Sequence, residues 1–154
     1  MKSILNNTGV VVGARMVVGI LFVVASADKI ADPMAFAASI ANYKLLPQTV
    51  NLLVATVLPW MELISGLFLV FGVLRNGAGL ILSSLMAVFT ALVISALARG
   101  LDISCGCFTQ DPSAARIGWW KVAENTGLFI LSLIPTMSSN SALSIEHIIA
   151  QSKG

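Results

Sequence analysis

The chain has 154 residues, about the length of one domain, but its composition is not that of a water-soluble domain. Hydrophobic residues make up 57% and charged residues 10%, and the mean hydropathy is +0.92, whereas soluble domains carry roughly 25% charged residues. So few polar groups cannot cover a soluble surface, and disordered, collagen-like, coiled-coil and disulfide-dense secreted proteins are excluded as well. A net charge of +2 with scattered Lys and Arg residues indicates no nucleic-acid partner. We therefore expect an integral membrane protein in a lipid bilayer.

The spacing of the charged residues predicts an all-α protein with four membrane-spanning helices. Each apolar stretch is long enough to cross a bilayer, and only Arg15 in the first and Glu62 in the second interrupt the three N-terminal stretches. The four stretches are residues 9–27, 51–74, 76–98 and 117–137.

The first stretch has an alternative interpretation as a cleaved secretory signal. Lys2, the apolar run and the small residues at 25–27 imitate such a signal. Arg15 lies inside what would be the apolar region, and the run is long for a signal, so we retain it as a span.

Four spans place both chain ends on one side of the membrane, here called side A. The loops at residues 28–48 and 99–120 then lie on the opposite side, side B. A very short turn at 72–77 makes the second and third spans antiparallel neighbours. Residues 1–137 are expected to form one four-helix membrane domain, followed by a polar to mildly amphipathic tail at 138–154.

The first side-B loop has the pattern of a short interfacial helix between the first two spans. Pro33 suits the first position of a helix, and Phe36, Ile40 and Tyr43 recur at spacings of four and three. Such a single apolar stripe is typical of a helix that lies in the membrane interface. Orientation is less constrained, because side A carries four Lys and Arg residues and side B five. The positive-inside rule then slightly favours side B in the cytoplasm.

The two cysteines stand together in the second side-B loop as Cys105-Gly106-Cys107. Gly106 allows the backbone to turn so that the thiols can close a disulfide. Such a ring is strained and hence easily reduced, which suits thiol exchange better than a structural role. A soft ion such as Cu(I) held by both sulfurs is the alternative. Structural zinc is not expected, because His147 lies on side A.

Several charged residues are predicted to lie around the cysteines on side B. A cation nearby favours the reactive thiolate, and a carboxylate nearby could move protons during exchange. Lys121 and Glu124 are three residues apart and therefore share a helix face. Each charge could equally be an interfacial anchor. The predicted supporting residues are Asp28, Lys29, Arg99, Asp102 and Glu124.

Glu62 lies near the middle of the second span, where an ionised carboxylate is costly unless it is paired or hydrated. Arg15 is the expected partner by depth in the membrane. The pair could act as a proton relay, contact the head group of a quinone, or simply fix the packing of the helices. Pro59 is expected to kink the same span and free a carbonyl group.

The chain resembles the MauE branch of the DoxX-like membrane proteins from about residue 9 to residue 135. The segments that carry the resemblance are ADKIADP at 27–33, NYKLLP at 42–47, LPWMEL at 58–63 and RGLDISCGCF at 99–108. The resemblance implies a four-helix protein of the inner membrane linked to thiol redox chemistry outside the cytoplasm, with a thioredoxin-like partner. It also implies that Cys105 and Cys107 are the redox pair and that side B faces outward, against the charge count.

The sequence thus predicts a membrane thiol–disulfide oxidoreductase that supports the maturation of disulfide-containing proteins. Membrane proteins of this kind often use two cysteine pairs, and this chain has one. Either a quinone near Glu62 and Arg15 or the partner protein would then relay the electrons. Cys107 is the favoured attacking residue. The alternatives are a soft-metal transporter or assembly factor, and a structural subunit of a redox complex.

Overall fold

The computed structural model describes residues 8–101 and 118–137, and these residues form five helices with short connections. The helices are α1 (Thr8–Ala31), α2 (Pro33–Ala41), α3 (Gln48–Phe71), α4 (Arg75–Ala98) and α5 (Trp119–Met137). The prediction of an all-α protein is confirmed for this part of the chain.

Three of the helices are long and apolar enough to cross a membrane. These spans are Gly9–Ala31, Gln48–Phe71 and Asn76–Ala98, each of 23 or 24 residues. A helix of that length extends about 35 Å, enough for a hydrocarbon core of about 30 Å. The protein is therefore a multi-pass membrane protein. The fourth predicted span coincides with α5, which has 19 residues and carries two charges near its start, so its crossing of the membrane stays a prediction.

The short helix α2 forms where the sequence predicts one. Asp32 caps its N-terminus by accepting a hydrogen bond from the backbone N–H of Ala35 at 2.9 Å, and Pro33 occupies the first turn. The Asp32 cap satisfies one of the free N–H groups at the helix start, and proline has no N–H group that would need a partner. Phe36 and Ser39 are buried against the bundle. The position of α2 in the membrane interface stays a prediction.

The turn between α3 and α4 makes these two helices antiparallel neighbours, as predicted. Gly72 adopts a left-handed conformation with φ of 69°. The N–H of Val73 donates to the carbonyl of Phe68 at 3.0 Å, which is the hydrogen bond of a Schellman motif. Leu74, also left-handed with φ of 46°, completes the reversal.

Two close approaches fix the register of the bundle. A Cβ atom on Gly19 of α1 would lie 2.9 Å from the carbonyl oxygen of Gly66 of α3, so only glycine allows these backbones to meet. Gly79 near the start of α4 lies against Ser132 and Thr136 near the end of α5, which makes α4 and α5 antiparallel. The core between the helices contains Val18, Phe22, Leu69, Leu82, Met86 and Val93.

Large apolar side chains remain exposed on the outer faces of the helices, as expected for contact with lipid. The C-terminal ends of α1 and α4 and the N-terminal end of α3 lie together at one end of the bundle, corresponding to side B. The antiparallel packing of α5 on α4 brings the start of α5 to the same end. The connection that carries both cysteines therefore departs after Leu101 and returns at Gly118 on side B.

Candidate functional site

A buried ion pair joins α1 and α3 in the side-B half of the bundle. The Nζ atom of Lys29 lies 2.7 Å from Oε2 of Glu62, and it donates a hydrogen bond to that oxygen. The two side chains are 2% and 1% exposed, which is rare for these residue types unless they are paired. The pair thus joins two helices through a buried electrostatic contact.

The direction of helical side chains explains how residues at different depths meet. Each Cα–Cβ bond in a helix tilts toward the helix N-terminus. Lys29, in the last turn of α1, therefore points into the membrane, whereas Glu62 on the antiparallel α3 points toward side B. The long lysine side chain covers the remaining axial distance.

Lys29 also contacts two aromatic rings. Its Nζ atom lies 5.1 Å from the ring centre of Phe36 in α2 and 5.5 Å from that of Phe89 in α4. Both distances suit cation–π attraction, which strengthens when water is excluded. One side chain of α1 is therefore in contact with α2, α3 and α4.

The prediction that Arg15 pairs with Glu62 is wrong, because Lys29 takes that place. Gly19 packs against Gly66, so Arg15 lies about 6 Å toward side A from this contact, whereas Glu62 lies about 6 Å toward side B. The side chain of Arg15 also tilts toward the N-terminus of α1, away from Glu62. Arg15 is nevertheless buried, with 3% exposure.

Several of the described buried side chains retain hydrogen-bonding atoms without a partner. The second carboxylate oxygen of Glu62, Oε1, has none, and neither amide atom of Asn125 has one. Asn125 on α5 is fully buried, and it is not among the site residues predicted from the sequence. The sequence feature that could have identified Asn125 is a neutral amide at the start of a charge-free stretch. Such a residue is easily interpreted as one that only packs helices together.

The register of α4 and α5 places Asn125 at the depth of the ion pair. Phe89, whose ring touches Lys29, lies about 15 Å along α4 from Gly79. Asn125 lies about 10 to 17 Å along α5 from Ser132 and Thr136, the neighbours of Gly79. Lys29, Glu62 and Asn125 therefore lie at about the same depth in the bundle.

Lys121 and Glu124 form the predicted pair on one face of α5. The Nζ atom of Lys121 lies 2.8 Å from Oε2 of Glu124, and the two side chains are 17% and 36% exposed. A partly exposed pair on one helix face contributes only about 0.3–0.5 kcal/mol. Its main effect is to hold a charged pair at the side-B end of α5.

Arg99 ties the end of α4 to the loop that follows α2. Its Nη2 atom donates to the backbone carbonyl of Tyr43 at 2.9 Å, and its Nε atom donates to the carbonyl of Ser95 at 3.2 Å. Tyr43 is 4% exposed, and burial raises the pKa of its phenol to about 12. Arg99 itself stays exposed, so a fixed cation remains on side B close to the start of the cysteine segment.

The other predicted site residues are distributed as follows. Asp28 lies on the exposed face of α1, next to Lys29. Cys105, Cys107 and Asp102 lie outside the described residues. Within residues 8–101 and 118–137, no three His, Cys, Asp or Glu side chains come close enough together to hold a metal ion. Asn51 on α3 is a further buried residue with an unpartnered atom, its Oδ1.

A known protein family matches most of the chain. The family model described as methylamine utilisation protein MauE matches residues 7–138. The chain belongs to the MauE family. The resemblance predicted from the sequence segments is thereby confirmed.

Curated members of the MauE family have similar sequences over most of this chain. Methylamine utilization protein MauE of Methylophilus methylotrophus is 31% identical over 134 residues, which cover 86% of this chain and 70% of the relative. MauE of Paracoccus denitrificans is 32% identical over 120 residues, covering 77% of this chain and 64% of the relative. The matches thus span about two thirds of the length of these relatives. No solved structure matches the chain.

Proposed function

We propose that this MauE-family protein is a membrane thiol–disulfide redox protein. It exchanges electrons between the Cys105–Cys107 pair and a thioredoxin-like partner outside the cytoplasm, and so supports the maturation of disulfide-containing proteins. The observation that carries the proposal is the Cys-Gly-Cys motif, in a segment that departs and returns on side B of the bundle.

The described charges on side B support thiol chemistry there. Arg99 is exposed and fixed by two carbonyl groups, six residues before Cys105. A fixed cation close to a cysteine lowers the free energy of the thiolate, which is the attacking form. We assign this role to Arg99 and not to Lys29, whose ammonium is buried against Glu62.

The exchange reaction requires no group beyond the thiols of the two proteins. A thiolate of the partner attacks one sulfur of the Cys105–Cys107 disulfide, forms a mixed disulfide and releases the other sulfur as a thiolate. A second partner thiolate then resolves the mixed disulfide, so the partner is oxidised and the pair reduced by two electrons. The reverse sequence uses the same steps.

The topology follows from the same proposal. We take α5 as the fourth span, because it packs antiparallel to α4 and its length of 19 residues suffices for a thin bilayer. Side B then faces the periplasm or cell exterior, where disulfides persist. The inner membrane is the proposed location, and disulfide-containing proteins of methylamine utilisation, the process in the relatives' names, are a first substrate class to test.

Trapping of mixed disulfides tests this function. Cys105→Ser and Cys107→Ser variants are expressed in membranes, quenched in acid and separated without reductant, with the double variant as the control. One single variant is expected to accumulate a covalent adduct with a thioredoxin-like protein that reductant releases. Absence of an adduct in both single variants, together with stoichiometric Cu(I) on the reduced native protein, would establish the soft-metal alternative instead.

A further inference from the structure

A groove lies between α2 and the start of α3, at the side-B end of the bundle. It has a volume of about 640 Å³. Its α2 wall is apolar and includes Met34 and Ala38, whereas its α3 wall includes the polar side chains of Gln48, Thr49 and Asn51. None of the residues that line the groove carries a charge. The groove therefore offers an apolar surface on one side and hydrogen bonds on the other.

The start of α3 offers free backbone N–H groups to a ligand. The residue before the helix is Pro47, which provides no side-chain cap. Its carbonyl accepts hydrogen bonds from the N–H groups of Val50 and Asn51 at 3.0 and 3.1 Å. Within the described part of the chain, the N–H groups of Gln48 and Thr49 are left for another acceptor. Free N–H groups and the helix dipole together favour an anionic group such as a phosphate.

Asn51 adds a hydrogen-bond acceptor to the same wall. The residue lines the groove, although it is only 4% exposed. Its Nδ2 atom donates to the carbonyl of Leu46 at 3.4 Å, whereas its Oδ1 atom has no partner. The terminal torsion of an asparagine side chain is broad, so a modest rotation turns Oδ1 toward the groove. A buried amide oxygen without a partner is unfavourable, and a donor group on a ligand satisfies it.

The depth of the groove in the membrane indicates the source of the ligand. The span that contains Asn51 begins at Gln48 and has 24 residues. Its length is about 36 Å, compared with about 30 Å for the hydrocarbon core, so its first turn lies at the level of the lipid head groups. A phosphate beside a hydrogen-bond donor, both attached to apolar chains, is the chemistry of a phospholipid.

We propose that the groove between α2 and α3 binds one phospholipid whose head group joins a phosphate to a hydrogen-bond donor, as in phosphatidylethanolamine. The phosphate oxygens accept hydrogen bonds from the N–H groups of Gln48 and Thr49, and the ammonium donates to Oδ1 of Asn51. An acyl chain lies along the apolar α2 wall beside Ala38. The lipid thus connects the short helix α2 to the membrane span α3. This site does not depend on the proposed thiol chemistry.

Lipid binding to the full chain tests the site directly. The protein is delipidated in mild detergent and titrated with phosphatidylethanolamine or phosphatidylcholine of identical acyl chains, and native mass spectrometry measures the fraction that holds one lipid. Phosphatidylcholine is the matched ligand, because its trimethylated ammonium has no N–H group to donate. Phosphatidylethanolamine is expected to bind about fivefold more tightly, the difference that one hydrogen bond makes. Equal binding of the two lipids would overturn the proposal.

Three variants locate the bound lipid. Asn51→Leu removes the acceptor, so it is expected to bind both lipids equally. Ala38→Trp fills the groove from an exposed position and is expected to lose the tighter binding of phosphatidylethanolamine. Ala91→Trp is the matched control and should keep the native preference, because Ala91 is an exposed alanine on α4 outside the groove. An unchanged preference in Ala38→Trp would contradict the site even if Asn51→Leu did not fold.

Competition with inorganic phosphate distinguishes a lipid site from a site for a free anion. Excess phosphate is expected to leave phosphatidylethanolamine bound, because the free anion lacks the acyl chains that lie along the α2 wall. Complete displacement of the lipid by phosphate would show that the groove binds a free anion, and the proposal of a lipid site would be wrong.

Discussion

The Nζ atom of Lys29 lies 2.7 Å from Oε2 of Glu62, inside a bundle of membrane helices and out of contact with solvent. Lys29 comes from the last turn of α1, and Glu62 from the middle of α3. The pair links helices that are far apart in sequence, and the rings of Phe36 and Phe89 enclose the ammonium group. Its removal should therefore affect the whole side-B half of the bundle.

Breaking the ion pair on one side should be strongly destabilising. Lys29→Met leaves the Glu62 carboxylate buried without its partner, and Glu62→Leu does the same to the lysine. Each single variant is expected to lose about 3–5 kcal/mol of stability, because removal of one partner leaves an uncompensated charge. Thermal unfolding in detergent measures the loss.

Removing both charges of the ion pair at once should be much less destabilising than removing one. Lys29→Met combined with Glu62→Leu removes both charges, so it should recover most of the lost stability. Lys121→Ala is the matched control, because it breaks a partly exposed lysine–glutamate pair and should cost at most about 1 kcal/mol. Additive losses in the double variant would show that the two residues do not act as a pair.

The contact between Gly19 and Gly66 should tolerate no side chain. In Gly19→Ala the new Cβ would lie 2.6 Å from Cγ2 of Val70 and 2.9 Å from the carbonyl oxygen of Gly66. The helices must separate, and we expect a loss of about 1–3 kcal/mol, as for overpacked cores. Gly13→Ala on the same helix is the control, because nothing lies within 4 Å of its Cβ position. Unfolding midpoints that fall equally in both variants would contradict the close approach.

The phenol of Tyr43 should lose its proton at an unusually high pH. It is the only tyrosine in the chain, so phenolate absorbance near 295 nm reports it alone. Burial raises its pKa to about 12 from 10.0, because the charged form is poorly solvated there. The folded protein then holds this proton more tightly than the unfolded chain does. Stability from this group is full below pH 10 and is lost as the pH rises toward 12.

The control for this titration is unfolded protein in denaturant, which should titrate near 10. Arg99→Ala is also informative, because Arg99 holds the backbone of Tyr43. A looser loop should expose the phenol and move the midpoint downward. A native midpoint at the ordinary value would show that the loop after α2 is open to solvent.

The sequence predicted the helices well, because long charge-free stretches leave few other possibilities. The stretches at 51–74 and 76–98 correspond to α3 and α4 within three residues, and Pro33 correctly marked the start of α2. α1 extends to Ala31, beyond the predicted end at residue 27, because Lys29 is buried against Glu62 and is not an interfacial charge.

The polar site was predicted only in part. Glu62 was recognisable, since a carboxylate in an apolar stretch is costly. Its partner Lys29 was not recognisable, because the prediction compared only the depths of the residues in the membrane. That comparison ignores the tilt and the length of the lysine side chain. Asn125 gave no charge signal, and only the packing of α5 against α4 brings it to the same depth. The cysteine motif was found by its spacing alone and stays a prediction.

The most direct test of the central claim is a redox titration of Cys105 and Cys107 in membranes. Vesicles are equilibrated in glutathione buffers, and free thiols are tagged with a membrane-impermeant maleimide added from each side. We predict a single two-electron transition at a potential above about −300 mV, as for strained or exchangeable disulfides. Both thiols should be tagged only from the extracytoplasmic side. Two cysteines that stay reduced in every buffer, or that react only from the cytoplasm, would contradict the account.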